Sequence, residues 1–266
     1  GSLLSAGPTV NNDGDLSYTP AANANGTVTF EVSVQDDGGT ANGGVNTSSP
    51  AKTFTITINA VNDAPSFTNS GDVTVNEDFT GTQTVSVTPD AVPVDETGQT
   101  VTYSLAPASV TFANVSIDAT TGKVSITSIA DSSGNQTFTI TADDGQANNN
   151  TATGTFDLTV SEINDPPTFN VSGNVTEDED FTTTETVTVT STQPANESAQ
   201  PINYSLSPTS VSFANVSIDA STGEVSITSI ADESGNQTFT ITADDSEANN
   251  NTASGTFDLT VNSVND

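Results

Sequence analysis

Residues Ser133 to Asp144 read SGNQTFTITADD, and the same run returns unchanged from Ser234 to Asp245. Within it Phe138, Ile140 and Ala142 alternate with Thr137, Thr139 and Thr141. Apolar residues at period two mark a strand with one face buried, and Thr favours that conformation. Working outward, Gly154 to Val160 (GTFDLTV) recurs from Gly255 to Val261, and Phe112 to Ala119 (FANVSIDA) recurs from Phe213 to Ala220. The chain therefore carries an internal repeat with a period of roughly 100 residues. An Asn-Asp pair punctuates it at Asn62-Asp63, Asn164-Asp165 and Asn265-Asp266, and the first two pairs are followed by Pro and Phe.

Gly-containing turns such as Thr121-Gly122 and Ser133-Gly134-Asn135 separate the alternating runs, and no segment has helical periodicity. About seven short strands per repeat is the quota of an immunoglobulin-like sandwich. The expected fold is all-β, with tandem immunoglobulin-like β-sandwich modules in an elongated rod. Complete modules are expected over 62–163 and 164–266. Residues 1–61 read as the back half of a further module. Leu16 to Phe30 aligns without gaps on Val124 to Phe138, and Val34-Gln35-Asp36 falls on Ala142-Asp143-Asp144. The strands that should precede that half are missing from it. Its Gly- and Asn-rich loop, Asp37 to Ser49, is longer than its counterparts and is expected to be the most mobile segment.

The 266 residues hold 34 acids against 2 basic residues, Lys52 and Lys123, for a net charge of −32; Cys, Met, Trp and His are absent. Nothing here can neutralise a row of phosphates, which excludes nucleic acid as a partner. Hydrolases that depend on His or Cys are excluded as well. No stretch approaches the ~20 apolar residues of a membrane span, so no membrane insertion is expected in this segment. Low hydrophobicity (32%) with high charge is also a signature of disorder. Strict alternation and the long repeat decide against it.

Many of the acids make a solvated surface, but others gather at module ends. Asp144 and Asp245 follow a core strand, Glu77-Asp78 and Glu179-Asp180 follow the opening strand, and Asp131 and Asp232 sit in a turn. Carboxylates that converge with no Arg or His to pair them repel one another. A hard cation bound by oxygen answers that problem, and Ca²⁺, which takes ~6–8 oxygens in a flexible cage, suits it better than octahedral Mg²⁺.

These residues also resemble a known family. Ile117-Asp118-Ala-Thr-Thr-Gly122-Lys-Val124 and Ile218-Asp219-Ala-Ser-Thr-Gly223-Glu-Val225 resemble the I-D-x-x-T-G segment of cadherin repeats. Glu162-Ile-Asn164-Asp165-Pro-Pro-Thr-Phe169 is similar to the cadherin linker D-x-N-D-N-x-P-x-F, with Glu for the first Asp. Ala142-Asp143-Asp144 and Ala243-Asp244-Asp245 match its A-x-D motif, and Asp131 and Asp232 match the first acid of L-D-R-E. Glu77 and Glu179 stand where the family has the Glu of its early P-E-N motif. The first 61 residues are similar to repeats of giant bacterial surface proteins. The resemblance implies calcium ligands at Asn62, Asp63, Glu77, Asp131, Asp144, Glu162, Asn164, Asp165, Glu179, Asp232 and Asp245. Departures are visible too. Ser133 and Ser234 replace the second acid of L-D-R-E, and Ala60 replaces the first linker acid at the first junction. Asn23 stands where Asp131 would be, and the D-x-D ahead of the third strand is absent at Pro89-Asp90-Ala91 and Ser191-Thr192-Gln193. One or two ions are expected at the Glu162–Asp165 junction, and fewer or weaker ions at Asn62-Asp63.

An enzyme is not expected. A carboxylate pair might serve a glycosidase, but the sequence has no Trp to stack on sugar, and Tyr103 and Tyr204 recur at equivalent strand positions that read as core. Outward Thr137, Thr139 and Thr141 suggest an ice-binding array, which twisted sandwich strands present poorly. The reading is of calcium-rigidified extender repeats of a bacterial adhesin, extracellular at the cell surface. The partners are calcium ions and neighbouring repeats of the same chain. The alternative is a calcium-dependent carbohydrate-binding module, with polysaccharide as partner.

Overall fold

The structure, a computed structural model, describes residues 2–48 and 50–265; Gly1, the loop residue Ser49 and Asp266 of the last Asn-Asp pair lie outside it. Among the described residues there are strands and two short 3-10 turns, and no helix is long and apolar enough to cross a membrane. The fold is a series of β-sandwich units.

In the middle unit, β5 (Phe67–Asn69), β6 (Val73–Asn76), β7 (Gln83–Val85), β8 (Val87–Pro89), β9 (Thr102–Ala106), β10 (Ala113–Ile117), β11 (Val124–Ser128), β12 (Gly134–Asp143) and β13 (Thr151–Ser161) follow in order. They form the sheets β10-β11-β7 and β6-β13-β12-β9, with β5 paired to β8. All ladders are antiparallel except β6 with β13, which is parallel. The third unit repeats this arrangement with β14 (Thr168–Val171), β15 (Val175–Asp178), β16 (Glu185–Val187), β17 (Val189–Thr192), β18 (Asn203–Ser207), β19 (Ala214–Ile218), β20 (Val225–Ser229), β21 (Gly235–Asp244) and β22 (Thr252–Asn262).

More elements appear than the seven strands expected per module, because two strands are interrupted. Gly71, with φ +89°, bends the opening strand between β5 and β6, so that its two halves join different sheets. Ser86 separates β7 from β8, and its N–H is taken by Ser70 Oγ at 3.1 Å. A break of this kind lets one strand close both sheets of a sandwich.

The cores follow the alternation. Phe138 and Ile140 of β12 are buried with Phe156 and Leu158 of β13, and Phe138 and Phe156 stack across the ladder at 5.3 Å between ring centroids. Phe239 and Phe257 repeat the pair at 5.2 Å. Tyr103 and Tyr204 are buried in their cores, each edge-on to Phe67 or Phe169. Asp118 takes the backbone N–H groups of Thr120 and Thr121 at 2.9 Å, which closes the β10–β11 turn and holds its carboxyl below the usual range. Asp219, whose first contact is the Ser221 hydroxyl, does the same in the third unit. The I-D-x-x-T-G segment is thus a turn device.

The first unit holds β1 (Leu4–Val10), β2 (Leu16–Pro20), β3 (Gly26–Val32) and β4 (Lys52–Ile58), paired as two separate hairpins. In the long loop, Asp36 N–H donates to Asn46 O at 2.9 Å and Ser48 N–H to Val34 O at 2.8 Å.

Candidate metal centre at the unit junctions

β13 leaves the middle unit as the second linker, and β6 runs beside it in parallel as far as Asn76. The next residue, Glu77, is tied to the same strand by its N–H, which donates to Ser161 O at 2.8 Å. Its side chain therefore lies under the linker, only 2% exposed, and Oε1 accepts the Ile163 N–H at 2.9 Å. Asp78 and Asp131 both adopt left-handed turn conformations (φ 56° and 51°), and Asp131 N–H donates to Asp78 Oδ1 at 3.2 Å. Asp165 comes down from the linker onto this pair. The three residues each offer a carboxylate oxygen within 4.8 Å of the others.

The downstream unit supplies the other wall. Glu197, 2% exposed, accepts Asp165 N–H at 3.1 and 3.2 Å on its two oxygens. Asp245, 3% exposed at the end of β21, accepts Asn164 Nδ2 at 3.2 Å and the Glu247 N–H at 3.0 Å. Gln200 Nε2 donates to Asn164 Oδ1 at 3.2 Å, and Asn196 Nδ2 donates to both oxygens of Glu77. Glu162 is exposed, and its charge acts on both Glu77 and Glu197.

The electrostatics are one-sided. Burial, and then the charges of Asp78, Asp165 and Glu162, push the Glu77 carboxyl above its usual range against the opposing Ile163 N–H. Burial, with Asp78 and Asp131, pushes Asp165 up. Burial also raises Glu197, with Asp165, Asp245 and Glu162 adding to it and the Asp165 N–H opposing. Three buried oxygens here, Asp165 Oδ2, Asn196 Oδ1 and Gln200 Oε1, have no hydrogen-bond donor. Orphaned oxygens beside mutually repelling carboxylates are the donor set of a hard cation, so the residues fit Ca²⁺.

The first junction repeats the downstream half. Asp63 N–H donates to Glu96 Oε1 at 2.6 Å, Asn62 Nδ2 to Asp144 Oδ2 at 3.0 Å, and Gln99 Nε2 to Asn62 Oδ1 at 2.7 Å. On its upstream side Asn23, with φ 52°, occupies the turn position of Asp131, and Ala60 stands where the second junction has Glu162. The far end of the third unit is the converse. Glu179 Oε1 accepts Val264 N–H at 2.7 Å and Asp232 N–H donates to Asp180 Oδ1 at 3.2 Å, repeating the upstream half. Of the residues singled out in the sequence, Glu77, Asp131, Glu162, Asn164, Asp165 and Asp245 meet at the second junction, Asn62, Asp63 and Asp144 at the first, and Glu179 and Asp232 at the far end.

Sequence reasoning left Asp78, Glu96, Glu197, Asn196 and Gln200 out of the ligand set. Pro89–Ala91 and Ser191–Gln193 lack the D-x-D acids, and the wall is built a few residues later, at Glu96 and Glu197. The usable signal was the spacing Glu96-Thr-Gly-Gln99 and Glu197-Ser-Ala-Gln200, kept while its surroundings diverge.

A protein-family model described as a bacterial Ig domain matches residues 2–48. No curated protein sequence matches the chain. Among solved structures, the chain is similar to repeats EC22-24 of mouse cadherin-23, at 19% identity over 82% of this chain and 72% of that one, with a TM-score of 0.43. Human protocadherin-24 EC1-2 is similar at 16% identity over 76% of this chain and 99% of that one, TM-score 0.41. Drosophila N-cadherin EC1-4 is similar at 14% identity over 96% of this chain and 63% of that one, TM-score 0.43.

Proposed function

We propose that the chain is a set of calcium-rigidified extender repeats of a bacterial cell-surface adhesion protein, divided at 1–61, 62–163 and 164–266. The observation that supports this most is the Asp78–Asp131–Asp165 cluster, in which one linker acid meets two acids of the upstream unit while its own N–H is held by Glu197 downstream. Asp78, Asp131 and Asp165 would hold the ion, with Glu77, Glu162, Asn196 and Gln200 as further oxygen donors. Asn164, Glu197 and Asp245 fix the linker. Bound Ca²⁺ would neutralise the cluster and tie together oxygens of two units, turning a hinge into a stiff joint. Asn62, Asp63 and Asp144 would form a poorer site, since Asn23 stands in place of Asp131 and Ala60 in place of Glu162 there. Glu179 and Asp232 form the upstream half of another.

Calcium affinities of extracellular modules fall at about 10⁻⁴–10⁻³ M, so such joints stay loose in a low-calcium cytosol and stiffen outside the cell. The acidic surface covers exposed strand edges and keeps parallel chains apart. The bacterial Ig match over residues 2–48 supports an extracellular location. The carbohydrate alternative gains nothing from Tyr103 and Tyr204, which are core residues. The test is thermal unfolding with calcium and with a chelator. An ion bound only by the folded chain at 100 times its Kd adds about 2.7 kcal/mol. Identical transitions in the two conditions would defeat the proposal.

A further inference from the structure

The middle and third units are near copies, yet the loop after their second strand pair differs in length. Pro89 pairs with Phe67 as Ser191 pairs with Phe169. Pro93 O accepts the Glu96 N–H at 3.0 Å, as Pro194 O accepts the Glu197 N–H at 3.1 Å. Residues 90–92 separate the first two landmarks and 192–193 the second two, so the middle unit carries one residue more. In the shorter loop Gln193 is half-buried and its amide nitrogen is enclosed. In the longer one Val92 stands 48% exposed and borders a cavity of about 130 Å³.

Every wall of this cavity belongs to the middle unit or to the linker that enters it. Pro65, Pro89, Pro93 and Val101 make one side apolar, whereas Asp63, Asp90, Glu96 and Asp144 make the other acidic. Glu96 and Asp144 are each 6% exposed. Glu96 Oε1 accepts the Asp63 N–H, and Oε2 has no donor among the described residues. Tyr103, also 6% exposed, lines the cavity, and its hydroxyl has no partner among the described residues.

A space of this order admits a molecule the size of benzene, which enters an apolar cavity of ~150 Å³. A bare metal ion would leave the apolar side unfilled. A short alkyl chain that ends in a cation uses both sides. A primary ammonium has three donors, and Glu96 Oε2, the Tyr103 hydroxyl and the Asp63 carboxylate are acceptors for them. Neither of the chain's lysines, Lys52 and Lys123, lines the cavity, so the cation has to come from another molecule.

We infer that this cavity is a binding site for a primary alkylammonium, carried by a free amine or by a lysine side chain of another protein.

The test titrates the full isotope-labelled chain with butylammonium, ammonium and butanol. Chelator is present throughout, which keeps calcium off Asp63 and Asp144. Butylammonium should give saturable amide shifts at Ala64, Val101 and Tyr103, with Ile202 and Tyr204 of the third unit unmoved. It should bind about tenfold or more tighter than ammonium or butanol, because each of those fills one side only. Nα-acetyl-lysine methylamide separates the sources. Binding as tight as that of butylammonium assigns the site to a protein lysine, and weaker binding assigns it to a free amine. Glu96→Gln keeps an acceptor for the Asp63 N–H and should weaken butylammonium by about tenfold or more. Deletion of Val92 gives the loop its length in the third unit and should abolish binding. The inference is overturned if butylammonium does not saturate, or if ammonium or butanol matches it. Equal shifts in the third unit, or full affinity in either variant, overturn it as well.

Discussion

Asn196, in the third unit, donates its side-chain amide to both carboxylate oxygens of Glu77, in the second, at 3.2 and 3.3 Å. At the first junction the polarity is reversed, with Asn25 upstream donating to Asp95 downstream at 3.4 Å. Both contacts pair a carboxylate with a neutral amide, and at the second junction this spares the buried Glu77 a carboxylate neighbour at position 196. The substitution Asn196→Asp removes that relief. Without calcium it should lower the melting temperature, one pKa unit of mutual repulsion being worth about 1.4 kcal/mol. With calcium most of the loss should be recovered, since the added oxygens coordinate. Calorimetry in chelator and in calcium checks both halves of the expectation.

Asp131→Asn tests the cluster from the other side. Asn tolerates the left-handed conformation at φ 51° and keeps the backbone N–H that donates to Asp78. The metal-free protein should be as stable as the parent or more so, because one repelling charge is gone. Calcium affinity, read by titration calorimetry, should fall by about tenfold or more, a loss of ~1.4 kcal/mol. Asp232→Asn, at the far end, should leave the second junction's affinity unchanged.

Glu77, Asp165 and Glu197 all titrate above their ordinary values, chiefly because they are buried and then because carboxylates surround them. The folded chain therefore holds these protons more tightly than the unfolded chain. Their contribution to stability is fully present below the unfolded values and is lost as pH rises through the folded ones. The metal-free melting temperature should therefore rise as pH is lowered from 7 toward about 5. The increment given by calcium should shrink over the same range, because protons compete for the same oxygens. A metal-free melting temperature that falls steadily from pH 7 to 5 would contradict the assignment of these buried groups.

Much of the fold was legible because alternation and repetition are written in single residues. Phe138, Ile140 and Ala142 alternate with Thr and are all buried. Which acids meet was less legible. Asp131 and Asp165 carry family-like signatures, but Asp78 becomes a neighbour only through a turn at φ 56°. Glu197 reaches the linker because the chain ahead of β18 folds over it, a placement no strand period encodes. The breaks at Gly71 and Ser86 were hidden for a similar reason, since a kink that moves one strand between sheets leaves the apolar alternation on both sides intact.

Gly122 lies at φ +71°, and a Cβ there would stand 2.9 Å from Val87 Cβ and 3.0 Å from Tyr103 Cγ. Gly122→Ala combines backbone strain with overpacking, so it should destabilise the middle unit by about 1–3 kcal/mol. Gly145→Ala is the control, with φ +77° and open space around it. The difference between the two in urea unfolding measures the packing contribution alone.

The central claim is that calcium stiffens the joint between the two complete units. The chain has no cysteine, so Thr84→Cys and Thr186→Cys, both on exposed strand positions, give a unique pair of spin labels. The distance distribution between them, measured by pulsed electron resonance in calcium and in chelator, is the most direct test. The account predicts a narrow distribution in calcium that broadens in chelator, and a broad one in both conditions for Asp131→Asn. Equal widths with and without calcium in the parent chain would contradict it.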